Sequence, residues 1–205
     1  MSTTTDVLSV KDAIKSRHSI RKFVQETISK EDIERIFKLV RLAPSAWNLQ
    51  PWRFHVIIDK DLKEKLKDAA YGQQQVSSAP AVILVTSDME DVLDNISDTV
   101  HPDLSEERRK DEINNLTSTF QEQSVEERGQ WGLTQTNIAL GFLLVTLEGL
   151  GYSSVPMLGF DQDKVRSLLG LPDHVRFAGM VPFGHADEKG YPHFRHEVDT
   201  IVRFH

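Results

Sequence analysis

A chain of 205 residues with 24 Lys+Arg against 31 Asp+Glu, a formal charge of −7 and 39% apolar residues has the composition of one ordinary folded domain. The acidic balance disfavours a nucleic-acid or acidic-membrane footprint over the whole surface and leaves room only for a local basic pocket. The absence of cysteine removes disulfides, thiolate nucleophiles and thiolate metal sites, so any redox chemistry must sit on a bound cofactor.

The first ten residues, MSTTTDVLSV, have neither a basic nor a long apolar segment of the export type, and the apolar runs Ala81–Val85 and Ile138–Leu147 are too short to span a bilayer. The expectation is a cytoplasmic protein. Val7, Leu8, Val10, Ala13 and Ile14 predict a first helix that breaks at SRHSIRKF. Ser29 precedes KEDIERIFKLVRLA, with Asp32 three residues on as in a capping box and Ile33, Ile36, Phe37 and Val40 on one face, so a second helix ends before Pro44. The loop PSAWNLQPW follows, and RFHVIID predicts the first strand. Leu62, Leu66 and Ala69 or Ala70 mark a short helix, YGQQQVSSAP reads as loop, and AVILV reads as a strand buried on both faces, which suggests parallel pairing.

From about residue 88 to 128 the chain is charged, with Val92, Leu93, Ile96, Ile113, Leu116 and Phe120 as scattered anchors. This predicts a helical cover or excursion. WGLTQTNIALGFLLVTLEGLG is apolar nearly all round, as for a helix in a core or subunit interface, and should end at Gly149 or Gly151. YSSVPML then reads as a strand, DQDKVRSLLG as a capped helix, VRFAGMVPFG as a last strand interrupted by Pro182, and the tail after Gly190 as extended. No linker divides 1–205, which reads as a single α/β or α+β domain.

The chain has no G-x-G-x-x-G, no P-loop and no G-x-S-x-G elbow, so dinucleotide-domain, nucleotide triphosphate and serine hydrolase readings lack support. In SRHSIRKF, the residues Arg17, His18, Ser19 and Arg21 bring two guanidiniums, an imidazole and a hydroxyl within five positions, a donor set suited to a phosphate. A solvated basic turn is the alternative. His193 and Arg195 in PHFRHE lie two apart and would point the same way in an extended tail. His193 and His196 lack the carboxylates and spacing of a metal site, and none is assigned.

SRHSIRKF followed by APSAWNLQPWRF resembles the amino-terminal signature of the FMN-dependent nitroreductase family. The likeness continues through the apolar helix, GLGYSSVPMLGFD, PFGHADE and YPHFRHEVD. The resemblance implies an α+β three-layer sandwich, a central mixed sheet flanked by helices, and an intertwined homodimer with FMN at the subunit interface. It implies that Arg17, His18, Ser19 and Arg21 bind the FMN phosphate and ribityl chain, with His193 and Arg195 returning to the phosphate. Pro44, Ser45, Ala46, Asn48 and Gln50 would approach the isoalloxazine from the other subunit, and Pro156, Met157, Leu158 and Gly159 would meet the ring near N5 through backbone N–H groups.

Two departures stand out. Where family members often have an asparagine, this chain has Gly72, followed by Gln73, Gln74 and Gln75; either one of these glutamines substitutes, with Gln75 taken as the cofactor-binding candidate, or the contact is lost. His193 stands where many members have a constitutively basic residue. The activity implied is NAD(P)H-dependent oxidoreduction of nitroaromatics, quinones or similar planar acceptors by a ping-pong route, with no catalytic acid or base on the protein. A flavin reservoir or sensor, and a different flavin chemistry such as dehydrogenation or dehalogenation, remain the alternatives.

Overall fold

The computed structural model describes residues 7–205; residues 1–6, which open the stretch read as lacking an export signal, lie outside the described residues. In chain order the elements are α1 (Val10–Ser16), α2 (Lys30–Val40), β1 (Trp52–Ile57), α3 (Lys60–Ala69), α4 (Gln74–Ser78), β2 (Ala81–Ser87), α5 (Met89–Asp94), α6 (Glu106–Gln121), α7 (Val125–Gly149), β3 (Ser153–Ser154), α8 (Gln162–Leu169), β4 (Arg176–Gly184) and α9 (Val198–Ile201). Single 3₁₀ turns stand at Ala46–Asn48 and Ile96–Asp98.

The sheet order is β1-β2-β4-β3, and each of these ladders is antiparallel. The parallel component expected in the sheet is confined to one bridge between Ser19 and Ser154. Two-sided burial of β2 suggested parallel pairing, but here it arises because helices cover both faces of an antiparallel sheet. Ala81, Ile83 and Val85 face α2 and α7, packing with Ile36, Val40, Leu143 and Leu147. Val82 and Leu84 face α3 and α8, packing with Leu66 and Val165. Side chains this fully buried contribute roughly 1.5–3 kcal/mol each, so the α/β/α stack is the main source of stability.

Local signals agree with this packing. Ser29 caps α2 by accepting from the Asp32 N–H, Asp161 caps α8, and Gly170 ends α8 in the left-handed region at φ 63°. α7 starts six residues before the apolar run, because Ser124 and Glu127 form a capping box in what reads as charged surface. The expected strand at YSSVPML shrinks to Ser153–Ser154, followed by a bridge from Met157 to Met180.

The cover at 88–128 closes its own small core, in which Met89, Val92, Ile96, Leu116 and Phe120 bury Leu49 of the PSAWNLQPW loop. The Arg128 guanidinium holds this cover to α7 by donating to both oxygens of Glu90 at 2.9 and 2.8 Å. No helix among the described residues is long and apolar enough to cross a membrane.

Candidate functional site

α1 stops at Ser16, and the chain leaves it through Arg17 in a non-helical conformation. Ser19 then pairs with Ser154 beside β4, and the Ile20 N–H donates to the Ser154 carbonyl at 3.2 Å. Ile20 and Phe23 sink into a small core with Ala79 and Val155. These two apolar anchors fix the segment and leave Arg17, His18 and Ser19 half-buried and Arg21 exposed.

Among the described residues, neither Arg17 nor Arg21 has a carboxylate within ion-pair distance. The His18 Nδ1 is buried without a hydrogen-bond partner. Two unneutralised guanidiniums beside an unpartnered imidazole nitrogen, in a chain of net charge −7, form a donor set that suits a bound phosphate monoester.

The tail lies over this segment at three points. Glu188 Oε1 accepts from the Arg21 and Lys22 N–H groups at 2.6 and 3.2 Å. Gly190, at φ 67°, passes so close that a Cβ there would stand 2.9 Å from the Ile20 Cδ1 and 3.1 Å from the His18 Cβ. His193 stacks at a tilt on His18, with ring centroids 4.4 Å apart, and its Nε2 donates to the Arg17 carbonyl at 2.7 Å. Arg195 is not brought to the segment: it is exposed, and its guanidinium donates to the neighbouring Phe194 carbonyl. Ser19, Arg21, Gln75, Glu188, Gly190 and Tyr191 line a cavity of about 560 Å³.

α4, which the sequence reads as loop, forms a second wall of that cavity. Gln75 is nearly buried and donates to the Gln73 side-chain oxygen at 3.0 Å, with the Met157 sulfur 3.9 Å away. Gln73 in turn donates to the Gly159 carbonyl at 2.7 Å. The buried Lys63 ammonium supports α4 from below, donating to the Ala79 and Pro80 carbonyls at 2.5 and 3.2 Å, and desolvation lowers its pKa. Gly72, at the family's asparagine position, has φ 77° and open space around it. Gln74 and Gln75 both line the cavity, while Gln73 is committed to Gly159.

Pro156–Gly159 is held against β4 by Met157, whose N–H and carbonyl both pair with Met180 at 2.9 Å. The Met157 N–H is therefore already used, which corrects the expectation that it serves a ligand. Among the described residues, the N–H groups of Leu158 and Gly159 have no acceptor in the chain.

The loop at 44–50 belongs to a different neighbourhood. The Ser45 hydroxyl accepts from the Gln50 N–H at 3.0 Å, the Ala46 N–H donates to Gln135 on α7 at 2.9 Å, and Asn48 donates to the Thr99 carbonyl at 3.1 Å. Pro44 is exposed. Trp47, Asn48 and Gln50 all have positive φ, at 50°, 55° and 47°, and for Trp and Gln this is a strained backbone. Trp47 stacks on Trp131 at 5.9 Å between centroids and meets Phe120 edge-on at 6.1 Å, whereas Trp52 is buried in the core.

No hydrogen bond among the described residues joins this loop to Arg17–Arg21. One chain therefore holds the nominated residues as two separate sets. Glu188, Lys63 and Gln135 are not legible in the sequence, since each acts through polar contacts to residues distant in the chain that no spacing encodes.

The comparisons agree on one family. The model of the nitroreductase family matches residues 14–185. A protein of Thermus thermophilus named NADH dehydrogenase is 39% identical over 202 residues, covering 98% of each chain. YdgI of Bacillus subtilis, assigned by name as an NAD(P)H nitroreductase, is 33% identical over 201 residues, covering 94% of this chain and 96% of its own. Among solved structures, an Exiguobacterium sibiricum protein assigned as a nitroreductase and crystallised in complex with FMN superposes with a TM-score of 0.89 at 28% identity, over 99% of this chain and 100% of its own. The chain belongs to the nitroreductase family.

Proposed function

We propose that this chain is an FMN-dependent NAD(P)H oxidoreductase that acts as an intertwined homodimer. The observation that carries the reading is the basic segment in which Arg17 and Arg21 have no carboxylate partner and the His18 Nδ1 is buried unpartnered, with Ser19 and Arg21 lining a cavity of about 560 Å³; this donor set suits the phosphate end of FMN. When bound, FMN would supply the redox chemistry for a two-step transfer of hydride from NAD(P)H to a nitroaromatic, quinone or similar planar acceptor.

The protein's part is binding and orientation. Arg17 and Arg21 supply charge to the phosphate, Ser19 a hydroxyl, and His193 ties the tail across the anchor. Gln75 and the N–H groups of Leu158 and Gly159 offer hydrogen bonds where the flavin ring meets the chain. Arg195, exposed here, would reach a phosphate only by rearrangement of the tail.

The second set of residues, Pro44, Ser45, Ala46, Asn48 and Gln50, would come from a second copy. Three features support the dimer: α7 exposes Ile138 and Phe142, β1 is an edge strand, and the tail carries Phe194 and Phe204 at 93% and 95% exposure. In this reading 1–205 acts as a single domain with 88–128 as its cover, and a cytoplasmic location belongs to the same proposal. The test is oxidation of NADH or NADPH by the FMN-loaded protein with a quinone or a nitroaromatic. Parallel double-reciprocal lines support the two-step route, and intersecting lines reject it.

A further inference from the structure

Glu188 stands among the phosphate-anchoring groups with the wrong sign of charge. It shares their cavity with Ser19, Arg21, Lys22 and Lys189, yet it pairs with none of the three cations. Its Oε1 alone takes both the Arg21 and the Lys22 N–H, at 2.6 and 3.2 Å. Consecutive N–H groups aimed at one point are an anion-binding concavity. Here the protein's own carboxylate fills that concavity.

The same stretch is tied down by backbone pairing on either side. The Asp187 N–H donates to the Lys22 carbonyl and the Val24 N–H to the His185 carbonyl, both at 2.9 Å. Glu188 is the last contact of this ladder, and beyond it Gly190 crosses Ile20 and His18.

We infer that Glu188 is a positioning residue of the phosphate anchor: by holding the Arg21 and Lys22 N–H groups it sets the backbone from which the Arg21 guanidinium and Ser19 hydroxyl reach a phosphate. This rests on the FMN reading above. Because one oxygen accepts both bonds, a glutamine retains them while losing the charge. Alanine loses them, and aspartate, one methylene shorter, draws the oxygen away.

The experiment compares FMN with riboflavin, which has the same ring and no phosphate, by fluorescence titration of wild type and the Glu188→Gln, Glu188→Ala and Glu188→Asp variants. Wild type prefers FMN. Glu188→Ala and Glu188→Asp weaken FMN about tenfold or more, because the Arg21 and Lys22 backbone is no longer held for the phosphate, and leave riboflavin within about twofold. Glu188→Gln binds FMN at least as tightly as wild type.

Equal weakening of both flavins, or an unchanged FMN preference in the alanine and aspartate variants, overturns the proposal and leaves the FMN reading standing. Tighter FMN binding by all three variants overturns it as well, since Glu188 would then act only by repulsion. A wild type that binds FMN no better than riboflavin overturns the anchor reading itself, and the role of Glu188 with it.

Discussion

His193 lies against His18 with ring centroids 4.4 Å apart, and this contact is one of the three points at which the tail meets the basic segment. With the bond from His193 to the Arg17 carbonyl, it holds the anchor's two sequence-distant parts together. His193→Ala should weaken FMN binding by about 1 kcal/mol, the usual worth of one such bond, or about fivefold in Kd by fluorescence titration. Unchanged affinity would place the tail outside the anchor.

Arg17→Ala removes one of the two guanidiniums proposed to hold the phosphate and leaves Arg21. The expected loss is roughly 1.5–3 kcal/mol in FMN affinity, enough for the protein to purify colourless. Thermal unfolding of the apoprotein should be unchanged within ~0.5 kcal/mol, because among the described residues Arg17 makes no ion pair. Full flavin retention would move the anchor elsewhere.

Gly132 lets α7 approach the end of β2. A Cβ there would collide with the Met89 side chain and stand 2.7 Å from the Ser87 Oγ. Gly132→Ala should cost about 1–3 kcal/mol in urea unfolding through overpacking. A neutral or stabilised variant would mean that Met89 moves aside freely.

Burial, followed by the nearby Asp32 carboxylate, pushes the Tyr152 phenol up to about 12 from its ordinary 10.0. A folded-state pKa above the unfolded value means a contribution that is full below pH 10 and lost as pH rises through 12. Tyr152→Phe should therefore lose less of its unfolding midpoint between pH 10 and 12 than wild type does. Superimposable alkaline profiles would show that another group controls that range.

How far the sequence predicts this molecule depends on the type of signal. The α2 cap at Ser29, the twofold-buried β2 and the end of α8 at Gly170 are local, and each agrees with the structure. α4 is five residues long with Val76 its one buried apolar side chain, too short for a period of 3.6 to register. Strand direction depends on how the strands are connected and paired, which burial within AVILV does not encode.

In the candidate site, the basic cluster was legible because its residues adjoin in sequence. The left-handed backbone at Trp47 and Gln50 was not, because neither residue type favours that conformation and tertiary packing on Trp131 and Phe120 holds Trp47 there. In the PSAWNLQPW loop, Trp52 is buried in the core and Trp47 sits in the aromatic cluster of the cover.

The central claim is that this chain passes electrons from a nicotinamide to a flavin it holds. Anaerobic stopped-flow mixing of the FMN-loaded protein with NADH or NADPH, followed by addition of a quinone, tests it most directly. One of the two nicotinamides should bleach the flavin absorbance, and the quinone should restore it. Bound flavin that neither nicotinamide reduces would contradict the claim.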